Sequence, residues 1–409
     1  MAMAVLLALP AFAQSGYGSG SAGSSASGSS SSSSSSSSIS HEGDSWVQVI
    51  SGAFSAARVL KVDTDCGSIR VSGGSQQGIQ YTIRKRVMGG SADSARRQLE
   101  QFRISTRGGS DTALIEGRTT GSLRRFSIEF IITVPKGTEL VGVSTNGGSV
   151  QVAGVGGKVA AETSGGGITL NDIGGPVTAE TAGGSIDAGN ISRDVRLESQ
   201  GGGIQMRSMH GKVAASTAGG SIDLADADQD VRLESAGGGI VLRNVKGRVI
   251  ANTAGGSIDV DNIDQGGTVE TAGGSINVQK CGGDIKATTA GGGIHLYKLR
   301  RGVRAETAAG SITAEFIGKS AEFTESSLTT NVGDVIVYLP ADLHVTIKAS
   351  IESAMGHKIK SDFPELKITS EGGNWGPKEI FAVGQINGGG PLLKISTTLG
   401  NIELRKGSK

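Results

Sequence analysis

Between Thr145 and Thr307 the chain reopens the same phrase every eighteen residues. Thr145, Thr163, Thr181, Ser199, Thr217, Ser235, Thr253, Thr271, Thr289 and Thr307 each begin a version of TAGGSI, and ten consecutive units hold this register without an insertion. Taking the opening residue as position 1, position 3 is Gly in nine units, with Ala309 the exception. Position 4 is always Gly: Gly148, Gly166, Gly184, Gly202, Gly220, Gly238, Gly256, Gly274, Gly292 and Gly310. Position 6 is Val150 and thereafter Ile, from Ile168 to Ile312. Equivalent residues repeated at this density need equivalent surroundings, and stacking identical units supplies them.

Further apolar positions fall at 8, 11, 15 and 17, so that with position 6 one unit carries Ile240, Leu242, Val245, Val249 and Ala251. Pairs at i and i+2 have strand spacing, so each unit offers short strands separated by turns. One unit is not stable alone, because five buried side chains at roughly 1.5–3 kcal/mol each do not outweigh about 1.5 kcal/mol of ordering entropy per residue. The sequence therefore predicts a parallel, all-β solenoid with one eighteen-residue coil per unit. At roughly 4.8 Å per coil, the array is a rod of about 48 Å.

In this reading the Gly-Gly pair holds a sharp corner with positive φ in every coil. The Thr at position 1 follows the inward positions 15 and 17 at strand spacing, so it points toward the corner and can form a hydroxyl ladder. TAGGSI is then architectural and needs no ligand. On the outside, position 14 runs Asp194, Lys212, Asp230, Arg248, and position 12 runs His210, Asp228, Lys246, Asp264. Neighbours one coil apart lie about 5 Å from each other, so alternating signs attract and help fix coil order. Two other solenoids fail the pattern. Acyltransferase helices place an aliphatic residue every six, and calcium-binding nonapeptide rolls need Asp where position 8 is apolar here. An ice-binding face would need Thr-x-Thr on each coil, and one Thr column is present.

Of 409 residues 67 are Gly, without the every-third spacing of collagen, which agrees with a turn-rich β architecture. The net charge of +1, from 39 basic and 38 acidic side chains, provides no long-range field toward nucleic acid. The opening "MAMAVLLALPAFAQS" combines an apolar run with Ala11-Phe12-Ala13, a small-x-small cleavage pattern, and reads as a remnant of an export signal over 1–14 that lacks its basic n-region. No later stretch is apolar for the roughly 18 residues a membrane-spanning helix requires. Residues 15–43 are rich in Ser and Gly and read as a disordered tether. Next come an N-terminal β cap region over 44–140 with a short helix at 92–102 capped by Ser91, the regular array over 141–324, and a C-terminal cap region over 325–409. Cys66 and Cys281 are the two cysteines, too few for a disulfide framework, and many coils separate them.

Both ends carry looser copies of the phrase, "TDCGSIRV" from Thr64 and "STTLGNIELR" near the C-terminus. "FIITVPKGTELVGVS" at Phe130 and "VIVYLPADLHVTIKAS" at Val335 share the order strand, Val-Pro or Leu-Pro, polar turn, strand. With the Gly-x-Ile/Val repeats and the export signal, these features over residues 44–409 resemble the bacterial "putative adhesin" family, β-strand-repeat proteins of unknown function related to auto-transporter adhesin head domains. The resemblance implies a right-handed single-stranded β-helix, secreted or surface-facing, with no established catalytic centre.

The residues themselves show little chemistry. His41, His210, His295, His344 and His357 have no metal-ligand spacing, and the Gly-rich strings lack the Gly-Lys-Ser/Thr of a phosphate loop. No catalytic, cofactor or metal residue is assigned. The enzymatic alternative is a lyase or hydrolase of acidic sugars using Asp223, Asp226, Asp228 and Asp259 with Arg243, but these acids are interleaved with bases and no insertion builds a groove. For binding, "HLYKLRRGVR" from His295 marks a candidate patch of Tyr297, Lys298, Arg300 and Arg301, and Trp375 is either a sugar-stacking ring or an end cap. The expectation is an exported, non-enzymatic adhesin or cell-envelope scaffold. Its partner would be a surface polysaccharide or an envelope protein, and its place the periplasm, cell surface or extracellular space. A periplasmic stress-sensing or signalling module is the second non-enzymatic reading.

Overall fold

A computed structural model describes residues 35–55, 57–122, 125–372 and 378–407. The expected export signal, most of the tether and Trp375 lie outside the described residues.

The eighteen-residue beat becomes two strands per coil, on two facing parallel sheets. Positions 6 to 11 build one sheet, here the isoleucine sheet, in which Ile186, Ile204, Ile222 and Ile240 stand in register from coil to coil. Positions 15 to 1 build the other, the threonine sheet, in which Thr181, Ser199, Thr217, Ser235 and Thr253 are aligned. Side chains alternate across each strand. Ile222, Leu224, Ala227, Val231 and Leu233 of one coil are at most 2% exposed and meet between the sheets. Each coil thus buries its apolar side chains against its neighbours as well as its own partner strand, which is how an otherwise unstable unit is stabilised.

The position-4 glycines are required for a reason other than the expected one. Of the ten, Gly148 alone has a φ in the left-handed region, at 147°. Close stacking constrains the rest: a Cβ on Gly184 would lie 2.1 Å from the carbonyl oxygen of Gly166, and one on Gly220 would lie 2.4 Å from the carbonyl carbon of Gly202. Position 3 has more room, with an added Cβ meeting its nearest atom at 3.4 Å on Gly183, an ordinary contact, and at 2.9 Å on Gly255, the tightest of that column. This explains why Ala309 can occupy position 3 while position 4 never varies.

The position-1 hydroxyls do form a ladder, and it runs through the glycine peptides. Thr181 Oγ1 donates to the Gly166 carbonyl of the preceding coil at 2.8 Å and accepts from the Gly184 N–H of its own coil at 3.1 Å. Thr217 repeats this with Gly202 and Gly220, and Ser199 and Ser235 do so with their own hydroxyls. A buried β-branched residue at a strand end suits this position, because its hydroxyl satisfies two backbone groups that the corner would leave unpaired.

At both ends the order of coils in space departs from their order in sequence. Strands Val59–Thr64 and Ser68–Gly74 form a coil inserted between the first array coil and the coil of Thr112–Thr119 and Phe126–Pro135. At the other end, Leu392–Leu399 and Ile402–Lys406 insert between the coil of Ser326–Val332 and Val335–Leu339 and the coil of Val345–Ile351 and Ile359–Ser361. The two Pro-containing connections, after Val134 and after Leu339, each step over the inserted coil. The hydroxyl ladder continues across these junctions, from Thr145 to the Gly67 carbonyl and from Thr397 to the Gly333 carbonyl.

Three boundaries shift. Strand Ser35–Glu42, inside the stretch read as tether, pairs antiparallel with Ser45–Phe54, so that sheet pairing orders this Ser-rich segment despite its polar composition. The helix is Ala92–Glu100 with Ser91 Oγ accepting from the Ser94 N–H, and ends two residues before the expected 102. The array register breaks before 324, since Thr307 pairs with Thr330 across a longer coil. Among the described residues no helix is long and apolar enough to cross a membrane.

Candidate functional site

The expected basic patch lies on the edge of the rod where the isoleucine sheet ends and the chain turns into the threonine sheet. Strand Ile294–Leu299 pairs with Ile312–Phe316 through a register shift between Leu296 and Leu299, so that Tyr297 and Lys298 oppose one residue. Lys298 adopts a left-handed φ of 49°, and a bulge of this kind re-aims side chains. Lys298, Arg300 and Arg301 are exposed and Tyr297 is half-buried. The structure therefore brings these four predicted residues onto one edge.

Stacking adds two residues that a linear reading missed. Cys281 bridges to Leu299, which aligns Lys280 with Lys298, and a Cβ on Gly318 would meet the Arg300 carbonyl, which places Lys319 beside Arg301. Both lysines are exposed, and none of Lys280, Lys298, Arg300, Arg301 or Lys319 forms an ion pair among the described residues. Reading the sequence down columns of eighteen would have found Lys280; the shifted register hides Lys319. A shallow recess of about 320 Å³ beside Arg301 contains Asp264 and Asp284, and Asp284 Oδ1 accepts from the Gly302 N–H at 3.0 Å and from Thr324 Oγ1 at 2.7 Å.

Elsewhere on the rod several charges pair with one another. At position 12 Asp228 takes His210 Nδ1 at 2.6 Å and Lys246 Nζ at 2.7 Å, and Lys246, followed by His210, holds its carboxyl below the usual range. Position 14 differs from the expected side-chain pairing: Asp194 and Asp230 each accept from the backbone N–H of the next coil, that of Lys212 and of Arg248, both at 3.0 Å. The carboxylate is closer to that N–H than a long, mobile cation can reliably be held, so the ladder here is backbone capping.

The carboxylates considered for sugar cleavage are likewise engaged. Asp223 pairs with Arg243 at 2.6 Å, Asp226 accepts from Asn244 at 2.9 Å, and Asp259 accepts from Asn277 at 2.7 Å. None of them forms a carboxylate pair of the kind that separates an acid from a base. On the threonine sheet Glu162, Glu180 and Glu198 do stack in register, and burial, then Glu198 and Glu162, pushes the Glu180 carboxyl up. Among the described residues no group of three or more His, Cys, Asp or Glu is arranged to hold a metal ion. Cys281 is a core residue as expected, fully buried, with Sγ donating to the Gly283 carbonyl at 3.2 Å and burial pushing its thiol up to about 11. An open trench of about 620 Å³ runs over the Gly-Gly corner, on the opposite edge from the basic patch, floored by Ala272, Ala290 and Ala308 and walled by Glu270, Thr288 and Glu306.

No family model matches the chain. No curated protein matches it either. Among solved structures, one described as a putative cell adhesion protein from Clostridium sporogenes aligns over 92% of this chain and 100% of its own, at 10% identity and a TM-score of 0.16. One described as a putative adhesin from Bacteroides fragilis aligns over 87% and 96%, at 11% identity and a TM-score of 0.19. Both structural neighbours are described in adhesion terms, as is the family that the sequence resembles. Superpositions this loose carry no argument about shape or role; the solenoid rests on the strand pairing itself.

Proposed function

We propose that this protein is an exported, non-enzymatic adhesin or envelope-binding rod, whose basic edge recognises an anionic surface polysaccharide. The observation that carries the reading is the run of Lys280, Lys298, Arg300, Arg301 and Lys319, five cations with no ion pair among the described residues, on a rod whose net charge is +1. Cations spaced by the coil repeat can meet successive anionic groups of an extended polymer. Each exposed contact is worth about 0–1 kcal/mol, so binding depends on several acting together and weakens with salt. The absence of a matched acid/base pair among the engaged carboxylates supports binding over cleavage, and the apolar, small-x-small opening sequence supports export.

The test incubates the full chain with acidic and neutral polysaccharides and records retention and shortened products together. Retention of acidic polymers, lost at high salt and in the triple variant Lys298→Ala, Arg300→Ala, Arg301→Ala, is the expected result. Shortened products would establish the hydrolase or lyase reading. Retention of neither class would move the assignment to an envelope protein partner and a scaffolding or signalling role.

A further inference from the structure

At the N-terminal end the two sheets stop at different heights. Beyond the coil of Thr112–Thr119 and Phe126–Pro135, the isoleucine sheet continues through Ile79–Met88, Ser45–Phe54 and Ser35–Glu42, each antiparallel to the last. Among the described residues the threonine sheet adds only Phe102–Gly108. Two strands therefore overhang, and helix Ala92–Glu100 covers only part of their inner face, packing Leu99 and Ala95 near Val87 and Trp46. A cleft of about 770 Å³ remains beneath the overhang, within the 300–1,000 Å³ span of small-molecule sites.

Its lining mixes Ile39, Ile50 and Ile104, each at least partly exposed, with Gln48, Arg96, Glu100 and Arg103, over buried Leu99 and Phe102, and Ile39 is 43% exposed although it faces the same side as Gln48 and Lys85. At its base sits Lys85, 5% exposed, at a position that continues the inward apolar column of Ile79, Tyr81 and Ile83. Its Nζ donates to the Phe102 carbonyl at 2.7 Å and to the Leu99 carbonyl at 3.2 Å. An ammonium has three donors, so one is left, and neither partner is a carboxylate. Arg96 and Arg103 stand exposed at the rim, neither in an ion pair among the described residues, with Glu100 the one acid lining the cleft.

We infer that this cleft binds a long-chain fatty carboxylate, its chain against Ile39, Ile50 and Ile104 and its head group on Lys85 and Arg103. Charge complementarity selects the anion: three cations face one carboxylate, and the deepest cation lacks a counter-ion. Ile39, Ile50 and Ile104, open to water in part as they stand, select the chain. An added peptide strand fits less well, because Lys85 already occupies the Phe102 carbonyl on the free edge where such a strand would pair, and Arg103 and Arg107 are the charged side chains that protect edges. Burial lowers the Lys85 ammonium to about 8, so it is protonated at neutral pH.

The experiment titrates the full chain with cis-parinaric acid at pH 7 and displaces the probe with palmitate, hexadecanol or an acidic extended peptide. Saturable binding of one probe per chain is expected, with palmitate competing at least tenfold better than hexadecanol. Lys85→Met, Ile39→Glu and Arg103→Glu should each weaken binding about tenfold or more with the circular dichroism spectrum unchanged. Ile39 and Arg103 are exposed, so their variants keep the test decisive should Lys85→Met fail to fold. Absence of saturable binding, equal competition by hexadecanol, affinity unchanged by Ile39→Glu and Arg103→Glu, or displacement by the peptide and not by palmitate would each overturn the inference.

Discussion

Replacing Gly220 with Ala tests whether coil spacing or backbone dihedrals make position 4 invariant. The added Cβ would lie 2.4 Å from Gly202 atoms of the coil below, all of them backbone and unable to rotate away. Restoring an ordinary contact requires the two coils to part by roughly 1 Å locally. The bonds spanning that gap are Thr217 Oγ1 to the Gly202 carbonyl at 2.8 Å, Gly219 N–H to the Gln200 carbonyl at 3.0 Å, and Ala218 N–H to the Ser199 carbonyl at 3.2 Å. Stretched by that amount, all three leave hydrogen-bonding range. At about 1 kcal/mol net per bond, the loss is about 3 kcal/mol, against about 0.4–1 kcal/mol gained from a stiffer unfolded chain. Gly183→Ala is the control: its Cβ finds 3.4 Å of clearance and no left-handed φ, so stability should stay unchanged or rise slightly. Urea midpoints followed by far-UV circular dichroism, with amide exchange at coils 199–234 to localise the damage, separate the two. Equal stability of Gly220→Ala and the parent protein, or equal damage from Gly183→Ala, would refute the close-stacking argument.

Other outcomes follow from the same geometry. Thr217→Val should lower stability by about 2–3 kcal/mol, because it strands the buried Gly202 carbonyl and Gly220 N–H, whereas Thr217→Ser should be nearly neutral, as Ser199 and Ser235 already serve; thermal unfolding of the two variants checks this. The lowered Asp228 carboxyl contributes stability that is present above the ordinary carboxylate range and disappears as pH falls through its folded pKa. The melting-temperature gap between the parent and Asp228→Asn should therefore be present at pH 6, begin to narrow near about pH 4 and close as pH falls below the lowered folded value. Cys281 should resist a thiol reagent in the native state and react on unfolding, while half-buried Cys66 reacts first; mass spectrometry of labelled protein before and after denaturant reads the order.

Part of the candidate surface is legible in the sequence alone. "HLYKLRRGVR" is a local cluster, so its residues share an edge however the coils stack. The N-terminal cleft is not legible there, because it brings together Ile39, Ile50, Lys85, Leu99 and Ile104, whose proximity depends on an overhang between two sheets. Lys85 in particular sits in an alternating strand, where a Lys at an apolar position reads as a break in pattern and its two carbonyl partners are invisible.

The eighteen-residue period determined the solenoid, the inward columns and the buried hydroxyl ladder, since a strict repeat admits one way of giving every Ile and Thr the same surroundings. Why position 4 must be Gly was decided only by the distance between coils, which no single coil contains. The ends were decided by tertiary structure as well. A looser phrase such as "TDCGSIRV" or "STTLGNIELR" shows that a segment can form a coil, but a coil pairs with whichever neighbour presents matching strands, above or below. Sequence order therefore does not fix spatial order once the chain is free to step over a coil, and it does so at both Pro-containing connections.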